Sequence, residues 1–337
     1  MNNVSIQGNL NYINYKFNPF TIPVFAAFVP LTYVIPTVFV VSRIFKIYVG
    51  RLISRRDDTI NPHVFSIIVL SQISSFCYML ADYSTIRLPS TGIMTAWCAS
   101  QPPNHFLKVL FMLSVYFNYT SMLFPFLLSI LRIIPLYSHV RHDEVSPFFD
   151  WALFEQKISA LRQDCPYLNS CDFPLSTFIL FPLFPALGEC RQLRGSYTFG
   201  SIYIYYDRSL FDLKQANTLF LNVVFWFLTS TILNIFLYTK LRKLRKTRSL
   251  KLQKAEFSLS LTTVSMLSAY ISNLAFIIFF IFYPGTSAYL VALRPYGNDC
   301  DFVSVPWIFF LTHPIFKKSS KLSSKEDSRQ PKRGNLV

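Results

Sequence analysis

Long runs without a charged side chain, broken by short charged intervals, set the pattern of this chain. Uncharged or nearly uncharged stretches fall at Phe20–Ser42, at Val64–Ile86 with Asp82 as its one interruption, and at Val109–Leu131. Later ones fall at Phe173–Gly188, Gln215–Thr239, Phe257–Tyr283 and Tyr296–Phe316. A run of about 20 predominantly apolar residues crosses a bilayer as a helix, and five of these stretches satisfy that length outright. Phe173–Gly188 holds only 16 residues, about 24 Å of helix, and the strictly charge-free part of the last stretch is Phe302–Phe316. Segments so short also occur as buried or re-entrant elements. With both counted as crossings, the pattern predicts an all-α membrane protein: a seven-transmembrane helix bundle over 20–316, preceded by an outer tail 1–19.

The cations between these stretches give the bundle a direction. With the N-terminus outside, the inner intervals hold 24 Lys and Arg and the outer ones 7, an asymmetry of the kind that orients membrane proteins with their positive loops in the cytosol. The Ser-rich basic tail 317–337 then lies in the cytosol, where its composition predicts disorder. Asn3-Val-Ser fits an outer N-terminus as a glycosylation acceptor. The first twenty residues show no charged n-region followed by an apolar core, so the first span is expected to act as its own insertion signal.

Composition agrees. A net charge of +15 beside 52% hydrophobic and 17% aromatic residues suits a membrane protein with cations gathered at one surface better than a globular enzyme. The five histidines, His63, His105, His139, His142 and His313, fall in loops or at helix ends. No H-E-x-x-H, G-x-S-x-G or phosphate-loop pattern accompanies them, so neither an enzyme nor a cofactor is expected. Six cysteines without C-x-x-C spacing or histidine companions argue against zinc. On the predicted topology Cys98 and Cys190 lie on the outer side and Cys300 near the outer mouth of the last span. Cys165 and Cys171 are cytosolic, where thiols stay reduced, and Cys77 is inside the second span. That placement favours a Cys98–Cys190 disulfide between the top of the third helix and the second outer loop. A free thiol at either position, or pairing with Cys300, is also compatible with it.

Ionisable groups inside spans are costly and mark candidate sites. Asp82, near the outer end of the second span, and Lys108, near the outer start of the third, lie at similar depth and are expected to pair across an outer cavity. The competing reading is that each snorkels to the headgroups by itself. Asn298 and Asp299, with Asp301, sit at the outer mouth of the last span as ligand-contact or, more conservatively, loop-holding residues. Asn234 and Asn273 read as interhelical hydrogen bonders. The prolines at 30, 36, 125, 182, 185, 306 and 314 are expected to bend their helices.

Four longer stretches carry a resemblance: "YVIPTVFVVSRIFKIY" at 33–48, "AWCASQPPNHFLKVLFMLSVYFNYTSMLFPFLLSILRIIPLY" at 96–137, "FGSIYIYYDRSLF" at 199–211 and "LRPYGNDCDFVSVPWIFFLTHPIFKK" at 293–318. The chain resembles the nematode serpentine chemoreceptors of the gamma superfamily, class U. The resemblance implies a G-protein-coupled-type chemosensory receptor with a small-molecule ligand, a heterotrimeric G protein as inner partner, and residence in the plasma membrane of sensory cilia. It implies a G-protein-engaging role for Arg132 in "LRIIPLY", although Leu131 stands where the wider receptor class carries an acid; a plain positive-inside arginine is the alternative. The segment 142–172 departs from the pattern and leaves the fourth helix unsettled. Its Trp151, Phe154, Ile158 and Leu161 share one helical face, as in a helix lying on the inner leaflet.

The densest basic run, Lys240, Arg242, Lys243, Arg245, Lys246, Arg248, Lys251 and Lys254, joins the fifth and sixth spans. There it meets an anionic leaflet, with roughly 1 kcal/mol of attraction per cation, and faces the G protein that the resemblance implies. The lipid bilayer, not nucleic acid, is its expected partner. A transporter or channel is the rival class, but it predicts paired polar groups at mid-membrane and a repeat between halves, and neither is evident.

Overall fold

The computed structural model describes residues 5–54, 62–140, 181–193, 197–207, 215–244 and 250–316. Helices dominate. A short helix α1 (Leu10–Ile13) precedes the long helices α2 (Ile22–Ser54) and α3 (Pro62–Asp82). A π-helical turn, Tyr83–Arg87, and the short helices α4 (Leu88–Ser90) and α5 (Thr95–Ser100) lead to α6 (His105–Val140). After a 3₁₀ turn at Phe181–Leu183 come two antiparallel strands, β1 (Leu187–Gln192) and β2 (Ile202–Asp207), with Cys190 opposite Ile204. Helices α7 (Gln215–Leu244), α8 (Leu250–Met266), α9 (Ser268–Phe282) and α10 (Pro284–Thr312) complete the bundle.

Among the described residues, five helical stretches are long and apolar enough to cross a membrane: Ile22–Gly50, Val64–Ser90, His105–Ile133, Asn217–Lys243 and Gln253–Phe282. The last joins α8 and α9 across a tight turn at Leu267, whose amide reaches back to the Val264 carbonyl. Their lipid-side residues are large and apolar, with Phe39 of α2 72% exposed and Leu221, Phe225 and Ile232 of α7 similarly bare. α10 is as long, with 29 residues, but carries Arg294, Asp299 and Asp301 inward. Two apolar cores fill the interior. One, toward the hairpin, gathers Phe111, Val115, Tyr119, Val223 and Tyr270; the other, toward the far ends of the helices, gathers Ile44, Phe65, Ile68, Leu128, Val305 and Phe309.

Three expectations change here. The tail of the predicted fourth span is not a membrane helix. Residues 181–183 form a 3₁₀ turn and 187–188 begin a strand, because Pro182 and Pro185 withhold helix amides and Gly188 exchanges backbone hydrogen bonds of 3.0 and 3.1 Å with Asn104. The rest of that stretch, and the segment 142–172, lie outside the described residues. The helix of the predicted last span begins at Pro284, not Tyr296, because the uncharged run from Phe257 breaks at Tyr283–Pro284, where α9 has ended and α10 starts. Asn298, Asp299 and Asp301 are therefore buried in a helix and do not hold a loop. The hairpin also qualifies the all-α expectation.

Pro30 shows how a membrane helix tolerates proline. It has no amide for the carbonyl four residues earlier, and that orphan, Ala26 O, instead accepts the Tyr296 hydroxyl of α10 at 2.7 Å.

Candidate functional site

At the hairpin end a cap covers the bundle. Cys98 of α5 and Cys190 of β1 are disulfide-bonded, closing a sequence separation of 92 residues. Cys77 and Cys300 are free, so the alternative pairing with Cys300 does not occur. The N-terminal segment lies against the same hairpin. Ile6 N donates to Cys190 O at 3.2 Å, Gly8 N to Ala99 O at 2.9 Å, and Ile6 is 1% exposed. Gly200 at the hairpin turn has φ +89°, and any Cβ there would run into the Tyr15 ring. Tyr12 packs on Phe199 with ring centroids 4.6 Å apart.

Beneath the cap lies a buried polar centre built from α2, α3, the π-turn and α10. Arg87 is its hub. Its two terminal nitrogens donate to both Asp299 oxygens at 2.7 Å, and its Nε donates to Asp82 at 3.1 Å. The Tyr33 hydroxyl donates to the same Asp299 carboxylate, and the guanidinium lies 5.4 Å from the Tyr296 ring centroid. Arg87 is only 5% exposed. A buried arginine is tolerable when its planar fork is matched bidentately and its remaining donor also finds a carboxylate. The π-turn supplies that geometry: its wider winding brings Arg87, five residues on, back to Asp82.

Farther along α10, Asp301 accepts the Ser75 hydroxyl at 2.8 Å. Beside it runs an amide chain: Arg294 Nε donates to Asn273 at 3.0 Å, Asn273 to Asn298 at 2.9 Å, and Asn298 to the Tyr78 hydroxyl at 2.7 Å. This links α10, α9 and α3.

At the far ends of the helices, Arg132 of α6 is 4% exposed. It reaches α8, where it pairs with the Glu256 carboxylate at 3.0 Å and donates to Ser260 at 2.8 Å and Thr263 at 3.3 Å. The acid absent at position 131 thus comes from another helix.

Several expected site residues sit elsewhere than supposed. Asp82 does not meet Lys108; its partner is Arg87, while Lys108 Nζ donates to the Phe184 carbonyl at 2.9 Å beside the cap. Lys108 therefore belongs to the rim. Asn273 does bridge helices, but Asn234 bonds the Ser230 carbonyl of its own helix at 2.8 Å. Arg87 was missed because it reads as one outer-loop cation, and Glu256 because it ends a basic run. Lys240 lies near the end of α7, and Arg242 and Lys243 are in its last turn. Arg245, Lys246, Arg248, Asn3 and the tail 317–337 are outside the described residues.

A bundle of apolar helices with a buried ionic centre and a disulfide-tied hairpin at one end belongs to a polytopic helical membrane protein. The family "Serpentine type 7TM GPCR chemoreceptor Sru" matches residues 6–319. "Serpentine receptor class U-26" of Caenorhabditis elegans is 36% identical over 282 residues, covering 82% of this chain and 90% of that one. The chain belongs to the Sru family of serpentine chemoreceptors, a family of receptors and not of enzymes.

Proposed function

We propose that the chain is a chemosensory receptor of the plasma membrane, with an outer N-terminus and seven crossings. It binds a small ligand beneath the disulfide-tied cap and signals through a heterotrimeric G protein at the opposite face; by family resemblance it would serve in sensory cilia. Five apolar helical stretches together with the 29-residue α10, and a family match whose description is of the seven-transmembrane kind, support that count of crossings.

The observation that carries the signalling reading is the Arg132–Glu256 pair. It ties α6 to α8 at the end where the cations of the 240–256 run gather. A pair of this sort holds one of two helix arrangements, and a ligand that prefers the other shifts the population. Glu256→Gln is expected to raise basal guanine-nucleotide exchange several-fold per receptor at the surface, on a co-expressed G protein and without any ligand. Basal exchange unchanged in Glu256→Gln, at equal surface density, would count against the pair as a restraint.

A further inference from the structure

The buried centre contains two arginines, and they are not equivalent. Arg87 is spent on Asp82 and Asp299. Arg294 is half-buried; its Nε is held by Asn273, and its guanidinium lies 5.2 Å from the Phe276 ring centroid. Among the described residues its terminal nitrogens have no carboxylate or carbonyl partner within hydrogen-bond distance. Through Asn273 it joins the buried hydrogen-bond chain to Asn298 and Tyr78, so it stands at the junction of α3, α9 and α10.

We infer that Arg294 is the ligand anchor and that the ligand is a small organic carboxylate with an aromatic or apolar body; this rests on the receptor reading above. Asn273 fixes the aim of the fork. Its amide oxygen accepts from Arg294 while its nitrogen donates to Asn298 and to the Ala269 carbonyl, so the amide cannot turn without breaking three bonds. A guanidinium held at Nε presents the edge with two terminal nitrogens, the geometry that matches a carboxylate bidentately. Phe276, whose ring centroid lies 5.2 Å from the guanidinium, supplies aromatic surface for the remainder of the molecule. A cationic ligand would meet a like charge there. A neutral one would leave the terminal donors without a charged acceptor, and Asp82 already receives its hydrogen bond from Arg87.

The test uses the full-length chain in lipid nanodiscs, with thermal stabilisation and calorimetric titration as readouts. Benzoate, phenylacetate, indole-3-acetate and hexanoate are each compared with the corresponding primary amide. At least one carboxylate is expected to stabilise the protein while its amide does not. Arg294→Gln is expected to weaken that carboxylate by roughly 100-fold, as for loss of charge-assisted hydrogen bonds. Arg294→Lys keeps the charge without the fork and is expected to weaken it about tenfold, which guards against a Gln variant that fails to fold. Absence of stabilisation by all four carboxylates, equal binding of acid and amide, or undiminished affinity in Arg294→Lys overturns the anchor. G-protein exchange on the same preparations separates the two readings. Carboxylate binding without exchange, in the wild type or in Glu256→Gln, leaves the anchor standing and sinks the receptor mechanism. Exchange by Glu256→Gln with no carboxylate bound does the reverse.

Discussion

At the scale of single residues, the molecule is governed by what buried charge requires. Asp82, Asp299 and Arg87 are all under 6% exposed, and each is tolerable only because the others are present. Removing one member of such a set leaves an uncompensated charge at a cost of about 3–5 kcal/mol. Arg87→Ala is therefore expected to abolish or sharply reduce surface expression, read by flow cytometry of tagged cells. The triple variant Arg87→Met, Asp82→Asn, Asp299→Asn, which removes the charges together, is expected to recover part of it. Gly297 gives a steric counterpart. A Cβ there would collide with the Ser272 side chain of α9, so Gly297→Ala is expected to lower the melting temperature of the solubilised protein by several degrees, and adding Ser272→Gly to restore most of the loss. Neither pairing was visible in the sequence. Asp82 stood out as an ionisable group within a span, but its partner depends on a π-turn and on a helix more than 200 residues away.

Elements show why pattern reading succeeded in some places and failed in others. Apolar length alone identified the cores of α2, α3, α6, α7 and the α8–α9 pair, because lipid demands an uncharged surface all round a crossing helix and that demand is written into every residue. The same rule misread α10, whose outer half faces the polar centre and can therefore carry Arg294, Asp299 and Asp301. The strands escaped notice because "LGECRQ" and "IYIYYD" are short and flank a charged segment. Their place is set by the disulfide and by the Gly188–Asn104 bridge. In the chain-entropy view a cross-link closing a loop of this length contributes roughly 4–5 kcal/mol. Cys98→Ser, Cys190→Ser and the double variant are expected to lose equal stability by thermal denaturation in detergent, since each removes the same bond; a double variant clearly worse than either single would show that the two sulfurs act separately.

For the whole molecule, the cap, the ionic centre and the Arg132–Glu256 pair lie in that order along the helix axes. The arrangement suits a receptor that takes its ligand at one face and reports at the other. It also fixes the sidedness to be tested. An epitope at the N-terminus is expected to be reached by antibody on intact cells, and one at the C-terminus only after permeabilisation. Both epitopes on one side would overturn the odd number of crossings proposed for the chain.

The sequence by itself determined that the chain lives in a bilayer, where along it the cations gather, that Cys98 and Cys190 share a face, and which family it belongs to. These are properties of composition, charge placement and residue identity, and they need no knowledge of neighbours. Tertiary structure alone decided which charges meet. Arg87 rather than Lys108 takes Asp82, Glu256 rather than a residue next to it takes Arg132, and Asn273 takes the Nε of Arg294. Coulomb and hydrogen-bond energies depend on distances of a few ångströms across helices far apart in sequence, and the linear order of residues does not contain those distances.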